Sequence, residues 1–239
     1  MPIAETEIAT ADEDIVFGTT EMHLVPWVNT SLNEPEGRFL VHRNVALRLS
    51  DLRYRAAAQG FDLCVCSSYR SFQRQVEIWN DKFCGRRPVL DQLSRPLRLD
   101  DLSDWQQVEA VLRWSALPGA SRHHWGTDVD VYDAAAMPQG YRLQLIPEET
   151  QRGGVFASMH AWLDTELESI DDFYRPYAED LGGVSPEPWH LSYAPLARHY
   201  AALHNKLALA QRLRKAKICR LDIVLENLDI IYERFIYSV

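Results

Sequence analysis

Two short stretches of the chain combine residue types that could hold a metal ion. The first, SRHHWGTDVDVYD at residues 121–133, contains two adjacent histidines, a glycine and three aspartates. The second, EPWHLSY at residues 187–193, adds an acid and another histidine. Histidine nitrogens and carboxylate oxygens suit a catalytic zinc ion, which keeps three protein ligands and an open water position.

The spacing within these stretches permits a metal site but does not require one. A turn at Gly126 followed by a strand could bring His123 and Asp130 to one point, with His190 as a third ligand. Glu187 stands three positions before His190, where a carboxylate that is not a ligand could take a proton from water. Hydrogen-bonded polar residues would explain the same pattern, so spacing alone leaves both interpretations open.

Three motifs together resemble a known family of zinc peptidases. SRHHWGTDVD resembles the SxHxxGxAxD motif of the VanY-type D-alanyl-D-alanine carboxypeptidases, and EPWH is similar to their ExxH motif. Upstream, SSYRSFQRQ at residues 67–75 resembles their S-x-YRS-x-x-x-Q block. The three motifs occur in the family's order, over roughly residues 38–195. VanX-type dipeptidases, lysostaphin-like endopeptidases and the hedgehog domain belong to the same superfamily.

The resemblance implies a role for each matching residue. It implies one Zn²⁺ per chain, held by His123, Asp130 and His190. It also implies Glu187 as the catalytic base, Arg70 as the group that meets a substrate oxygen, and Ser121 as a hydrogen-bond partner of the substrate. The planar guanidinium of Arg70 matches a carboxylate or a polarised carbonyl. A structural ion pair for Arg70 and a turn or cap role for Ser121 stay open as alternatives.

One position departs from the family pattern. Asp128 stands where the family usually has a small residue, often alanine, and strand alternation points it to the same side as Asp130. We expect Asp128 either to orient a ligating histidine without binding the metal or to be a solvated acid at the strand edge. We expect His124 at the pocket rim or on the surface, and Gln75 behind the substrate site or on a helix surface.

The activity implied by the resemblance is zinc-dependent hydrolysis of the C-terminal D-Ala bond in peptidoglycan-derived peptides, with a stem peptide or muropeptide as the partner. Two alternatives are an L,D-carboxypeptidase and a D-Ala-D-Ala dipeptidase of the same superfamily. A third, from another class, is a zinc-containing binding module without catalysis. The charged, proline-containing segment 84–104 could be the lid that decides between dipeptide and longer substrates.

Composition narrows the classes of partner. The chain has 239 residues, a formal charge of −9 and a pI near 5.4, which argues against nucleic acid or an anionic membrane as the main partner. No run approaches 18 apolar residues, so we expect no membrane span. The N-terminus lacks a basic n-region and an apolar h-region. We therefore expect a cytoplasmic protein with reduced cysteines, or a periplasmic or cell-envelope protein if a leader has been removed.

The order of predicted elements indicates one α+β domain. We predict an irregular or strand-containing arm over residues 1–36, a core over about 38–195 and a tail of two helices over about 195–239. Within the core we predict helices from Arg38 and over 69–83, 105–114 and 155–170, and strands at 61–68, 126–133, 141–146 and 189–193. The resemblance implies a hedgehog/D-Ala-D-Ala-peptidase-like fold, with a small antiparallel sheet flanked by helices.

Overall fold

The computed structural model describes residues 5–29 and 38–237. Its strands are β1 (Leu24–Val28), β2 (Arg38–His42), β3 (Leu63–Ser67), β4 (Asp128–Asp133), β5 (Phe173–Tyr174) and β6 (His190–Tyr193). Its α-helices are α1 (Glu5–Val16), α2 (Arg43–Ala58), α3 (Phe72–Phe83), α4 (Asp104–Leu112), α5 (Ala157–Ser169), α6 (Ala194–Leu203), α7 (Lys206–Lys215), α8 (Leu221–Glu226) and α9 (Leu228–Ile231). No helix in these two ranges has the length and apolar character needed to cross a bilayer.

The centre of the fold is a four-stranded antiparallel sheet in the order β3-β4-β6-β5. β1 and β2 form a separate antiparallel pair. Alternation along β4 sends Val129 and Val131 into the hydrophobic core, whereas Asp128 and Asp130 take the opposite face. The α+β class and the small antiparallel sheet flanked by helices are confirmed.

The apolar face of the sheet is covered by α2 and α5. Helix α2 buries four residues at helical spacing, Val45, Leu49, Leu52 and Ala56. They pack in one cluster with Val129, Val131 and Leu191 of the sheet and with Met159 and Leu163 of α5. This packing leaves the polar face of β4 and β6 free to form a site.

A second hydrophobic cluster joins α3 and α4 to the C-terminal helices. Val76 and Trp79 of α3 pack with Val108 and Val111 of α4 and with Leu213 of α7. The Ser103 side chain caps α4 and exchanges hydrogen bonds with Gln106 in a capping box. The capping box therefore fixes the start of α4, and the C-terminal helices contribute to the core.

The N-terminal half differs from the sequence prediction in two places. The arm predicted as irregular or strand-containing includes the helix α1, followed by the strand β1. The helix predicted from Arg38 begins five residues later, because residues 38–42 pair with β1 as strand β2. Val41 and Val45 have helical spacing, but only Val45 lies in the helix.

Two further predictions about elements are wrong. Residues 141–146 do not form a strand, because the buried carboxylate of Glu149 accepts hydrogen bonds from the Tyr141 hydroxyl and from the backbone N–H groups of Gln144 and Leu145. The tail contains four short α-helices and a π-helical turn, Tyr232–Tyr237, and not two helices. The Asn205 side chain caps α7, which separates it from α6.

His42 caps α2 with a ring that must remain neutral. Its Nδ1 atom accepts a hydrogen bond from the backbone N–H of Asn44 at 3.1 Å, and its Nε2 atom lies 3.3 Å from the Tyr200 hydroxyl. Burial lowers the pKa of His42 to about 4, with a smaller contribution from the charge of Arg43. Protonation would remove the acceptor and place a positive charge at a helix N-terminus, where the helix dipole disfavours it.

We therefore expect His42 to destabilise the fold in acid. Its pKa is about 4 in the fold, against an ordinary value of 6.5, so its stabilisation is complete above pH 6.5 and is lost as the pH falls towards 4. His42→Asn keeps a cap acceptor but does not titrate. When the pH is lowered from 7 to 4.5, the free energy of unfolding of His42→Asn should decrease by about 1–2 kcal/mol less than that of the wild-type protein. Urea unfolding measures this difference, and an equal loss in both proteins would contradict the role.

Candidate metal centre

The pairing of β4 with β6 brings two of the predicted ligands together. Asp130 lies directly opposite His190 across the antiparallel ladder, and Asp128 lies opposite Ser192. Side chains at paired positions share one face of the sheet. As a result, the Nδ1 atom of His190 is 3.2 Å from the Oδ1 atom of Asp130.

The third predicted ligand comes from the turn that precedes β4. His123 lies in the 3₁₀ helix Arg122–Trp125, which ends at Gly126 with φ +67°. A Cβ atom at Gly126 would meet Leu24 Cδ2 at 2.4 Å, so glycine permits both this conformation and the close packing. The His123 Nε2 atom lies 3.4 Å from Asp130 Oδ2.

His123, Asp130 and His190 form a group that could hold a metal ion. One ligand atom from each residue can be chosen so that all lie within 4.8 Å of one another, and all three residues are buried. Three atoms of this group, His123 Nδ1, Asp130 Oδ1 and His190 Nδ1, are buried and form no well-aligned hydrogen bond to any described residue. Buried polar atoms without a partner are energetically costly. These two nitrogens and one oxygen are therefore suited to bind a cation.

Glu187 stands beside this group. Its Oε2 atom is 3.4 Å from His190 Nδ1, and its side chain is 17% exposed. The backbone fixes the turn before β6, since the Glu187 N–H donates to the Tyr177 carbonyl at 2.9 Å and the His190 N–H donates to the Glu187 carbonyl at 3.0 Å. Glu187 is thus close to the predicted ligands, with part of its side chain accessible.

Asp128 supports His190 from behind. The Asp128 Oδ1 atom lies 2.9 Å from His190 Nε2 and 2.9 Å from Arg122 Nε. Arg122 also donates hydrogen bonds to the hydroxyls of Ser192 and Tyr174, at 2.7 and 2.6 Å. The expectation that Asp128 orients a ligating histidine fits this geometry. The alternative of a solvated acid is wrong, because Asp128 is fully buried.

The carboxylates around His190 determine the protonation of this site. Burial alone would lower the pKa of His190, but the hydrogen bond with Asp128 and the close negative charges of Asp130 and Glu187 outweigh it and hold this pKa well above its ordinary value. Burial would raise the pKa of Asp128 and Asp130. The charges of Arg122 beside Asp128 and of His123 beside Asp130 lower both values instead. Such an anionic environment favours a cation.

The candidate ligands and Glu187 line a cavity with a volume of about 300 Å³. Arg70 and Ser121 border this cavity as well. The Arg70 Nη2 atom donates to Ser67 Oγ at 2.8 Å and lies 3.4 Å from Asp130 Oδ2, so Arg70 forms a structural ion pair as well as lining the cavity. Ser121 precedes the 3₁₀ helix but makes no side-chain capping hydrogen bond. Its hydroxyl therefore does not act as a cap, and its predicted role towards substrate stays a prediction.

His124 lies elsewhere than predicted, whereas Gln75 fits the first of its two expected positions, behind the wall of the cavity. His124 is fully buried; its Nδ1 atom donates to the Arg70 carbonyl at 2.6 Å, and its Nε2 atom accepts from the Gly119 N–H at 3.0 Å. It therefore connects two turns of the site and is not a rim residue. Gln75 is also fully buried and donates to the Ala116 carbonyl, so it is not on the helix surface.

The two aromatic residues that flank His190 have different roles. Trp189 lines the cavity, whereas Tyr193 packs in the hydrophobic cluster beneath the sheet. Trp189 is therefore part of the cavity wall, and Tyr193 is a core residue.

Comparison with known proteins identifies the family. A profile of the VanY family, described as D-alanyl-D-alanine carboxypeptidase, matches residues 38–196, which is more than half of the chain. The chain belongs to the VanY family. All of the predicted site residues lie within the matched range.

Two related proteins share about a quarter to a third of their residues with this chain over the aligned regions. An uncharacterized protein of Haemophilus influenzae is 35% identical over 122 residues, which is 50% of this chain and 92% of that protein. A D-alanyl-D-alanine carboxypeptidase of Enterococcus faecalis is 26% identical over 172 residues, covering 71% of this chain and 54% of the relative.

The solved structure of one carboxypeptidase shows a fold shared with this chain. The LdcB LD-carboxypeptidase superposes with a TM-score of 0.50 at 24% identity, covering 84% of this chain and 82% of that one. VanYB in complex with D-alanine-D-alanine gives a TM-score of 0.47 at 24% identity, covering 80% and 90%. The fold shared with LdcB, together with the family match, confirms the expected hedgehog/D-Ala-D-Ala-peptidase-like fold.

Three residues of the site, Arg122, Tyr177 and Lys82, were not predicted from the sequence. Arg122 lies inside the histidine motif, and its buried ion pair with Asp128 could have been inferred from the departure at position 128. Tyr177, whose ring packs edge-on against His190 with centroids 4.9 Å apart, gave no signal. Nor did Lys82, which lines the cavity from α3. Their positions depend on tertiary packing.

Removing Asp128 alone should destabilise the protein more than removing the whole ion pair. In Asp128→Ala the buried Arg122 loses its counter-ion, which costs about 3–5 kcal/mol for a buried pair. In the double variant Arg122→Leu/Asp128→Ala no unpaired cation remains at this position, and most of that loss should be recovered. Urea unfolding at pH 7 measures both variants. A double variant no more stable than the single variant would contradict this account.

Proposed function

We propose that the protein is a zinc-dependent carboxypeptidase that removes the C-terminal D-Ala from peptidoglycan-derived peptides of the D-Ala-D-Ala type. The observation that carries the proposal is the convergence of His123, Asp130 and His190 beside Glu187, at one cavity of a VanY family member. Family membership supports the reaction class, and the buried donor set supports the metal.

His123, Asp130 and His190 would hold one Zn²⁺ ion. When bound in such a site, zinc lowers the pKa of a water molecule and polarises a carbonyl oxygen. Asp128 holds the Nε2 side of the His190 ring, which leaves the Nδ1 side directed towards Asp130 and Glu187. A carboxylate on the far nitrogen of a ligating histidine fixes both its tautomer and its orientation.

Glu187 is the proposed general base. Its carboxylate accepts a proton from the attacking water and then donates it to the amine that leaves, so that no net proton is consumed by the residue. Arg70 donates hydrogen bonds to a substrate oxygen, either the carbonyl that gains negative charge or a carboxylate. The Ser121 hydroxyl lies at the same cavity and hydrogen-bonds to the peptide.

Glu187→Ala should abolish turnover while the metal stays bound. Loss of a general base typically lowers kcat by about 10²–10⁴-fold, and the three ligands remain in place in this variant. Release of D-alanine from a pentapeptide measures kcat, and elemental analysis measures zinc. The matched control is Glu179→Ala, which removes an exposed acid and should leave both values unchanged.

Three outcomes of that experiment would contradict the proposal. Unchanged turnover in Glu187→Ala would show that Glu187 is not the general base. Wild-type protein that contains no zinc after loading would show that the three residues do not form a zinc site. Full zinc occupancy without turnover on any muropeptide would instead support a binding module. His123→Ala completes the set, because it should lose zinc as well as activity.

The protein should prefer peptides with a blocked amino end to free D-Ala-D-Ala. Arg70, Lys82 and Arg87 line the cavity, so a free ammonium next to the scissile bond would meet like charges. Residues 84–104, proposed as a lid, contribute Arg87, Pro88 and Leu90 to this wall. We expect kcat/KM for a pentapeptide to exceed that for the dipeptide by about ten-fold or more.

A substrate panel of defined stereochemistry measures this preference. Pentapeptide, tetrapeptide and free dipeptide are compared at equal concentration, with D-alanine release as the readout. Faster cleavage of the tetrapeptide would identify an L,D-carboxypeptidase, and faster cleavage of the dipeptide would identify a dipeptidase.

A further inference from the structure

The cavity beside the candidate metal centre has a cationic wall. Arg70, Lys82 and Arg87 all line it, although the chain carries a formal charge of −9. The surrounding walls contain apolar side chains, among them Leu90 and Trp114. A group of cations at an apolar cavity in an acidic protein indicates an anionic ligand, because field lines are concentrated in such a cleft.

Two of these cations already have partners. Arg70 is held by Ser67 and Asp130. Arg87 Nε lies 3.6 Å from Asp81 Oδ2, with 43% of the Arg87 side chain exposed. Each of the two arginines therefore already has a carboxylate close to its guanidinium group.

Lys82 differs from both arginines. Its ammonium forms no hydrogen bond or ion pair with any described residue, and Glu187 acts on it only through the longer-range electrostatic field. Gln75 and Ile78 precede it by seven and four positions on α3, so all three lie on the inward side of that helix. Burial lowers the pKa of Lys82 to about 8, with smaller effects from Arg87 and Arg70.

An uncompensated, half-buried ammonium is unfavourable unless a ligand supplies the missing charge. The ligand must be anionic and small enough for a cavity of about 300 Å³ that also contains the candidate metal centre. Peptide carboxylates meet both conditions. They also fit the position of Arg87, whose Nη atoms make no hydrogen bond to the residues that the structure describes and can contribute a second one.

We propose that Lys82, assisted by Arg87, binds a carboxylate of the peptide substrate. The inference rests on the proposed function for the identity of the peptide, but it concerns binding and not the hydrolytic step. Two carboxylates have the required chemistry: the C-terminal α-carboxylate of the residue that leaves, and a carboxylate further back in the stem. In either case Lys82 is a specificity-determining residue.

The test measures binding in the zinc-loaded chain of 239 residues, so that it does not depend on turnover. Calorimetry gives Kd for three peptides on the Glu187→Ala protein: the free acid, its C-terminal amide, and the peptide amidated at its stem carboxylate. Lys82→Met is added to remove the charge at similar length, and Lys82→Arg is added to retain it. Lys215→Met, an exposed lysine of α7, is the control for net charge.

Lys82→Met should weaken binding of the free acid by about 10- to 100-fold, as expected for loss of one charged partner in a desolvated site. Lys82→Arg should recover most of this loss, and Lys215→Met should have no effect. Comparison of the two amidated peptides identifies the carboxylate that Lys82 binds. Amidation of that carboxylate should weaken binding when Lys82 is present, and Lys82→Met should then weaken it little further.

Separate results would overturn the two proposals. Equal Kd values for the free acid with and without the Lys82→Met substitution would overturn the carboxylate site even in an active enzyme. Lysine-dependent binding without turnover in the wild-type protein would overturn only the hydrolase. Failure of all peptides to bind would overturn the carboxylate site as well.

Discussion

The antiparallel pairing of β4 with β6 is the constraint on which the rest of the site depends. A shift of one residue in this register would turn His190 or Asp130 towards the hydrophobic core. The valines of β4 and Leu191 of β6 prevent such a shift, because they fill the cluster formed with α2 and α5. The energy that positions the polar residues therefore comes from burial of apolar side chains on the opposite face of the sheet.

Charge is arranged around this sheet in two layers. Next to His190, Asp130 and Glu187 provide negative charge, while Arg122 neutralises Asp128 behind the ring. Further out, basic side chains line the cavity. The inner layer suits a cation and the outer layer suits an anion, so an anionic peptide could approach without repulsion from the carboxylates that surround the proposed metal.

The sequence located the three residues that converge in the candidate metal centre better than it predicted the elements around them. His123, Asp130 and His190 lie in local motifs, and the alternation of β4 is visible in the sequence. By contrast, residues 38–42 continue the helical spacing of the segment that follows them but pair with the preceding strand, β1. His124 could not be placed because its two hydrogen-bond partners are backbone groups of other turns. Local spacing contains no information about such contacts.

The C-terminal helices have a consequence for how the family domain is defined. The match to the family ends at residue 196, shortly after β6 passes directly into α6. Leu213, Val224 and Ile231 nevertheless lie in the same hydrophobic cluster as Trp79 of α3. A fragment cut at the family boundary would expose this apolar surface to water and favour aggregation. The region recognised by homology is thus smaller than the cooperative unit formed by the packed side chains.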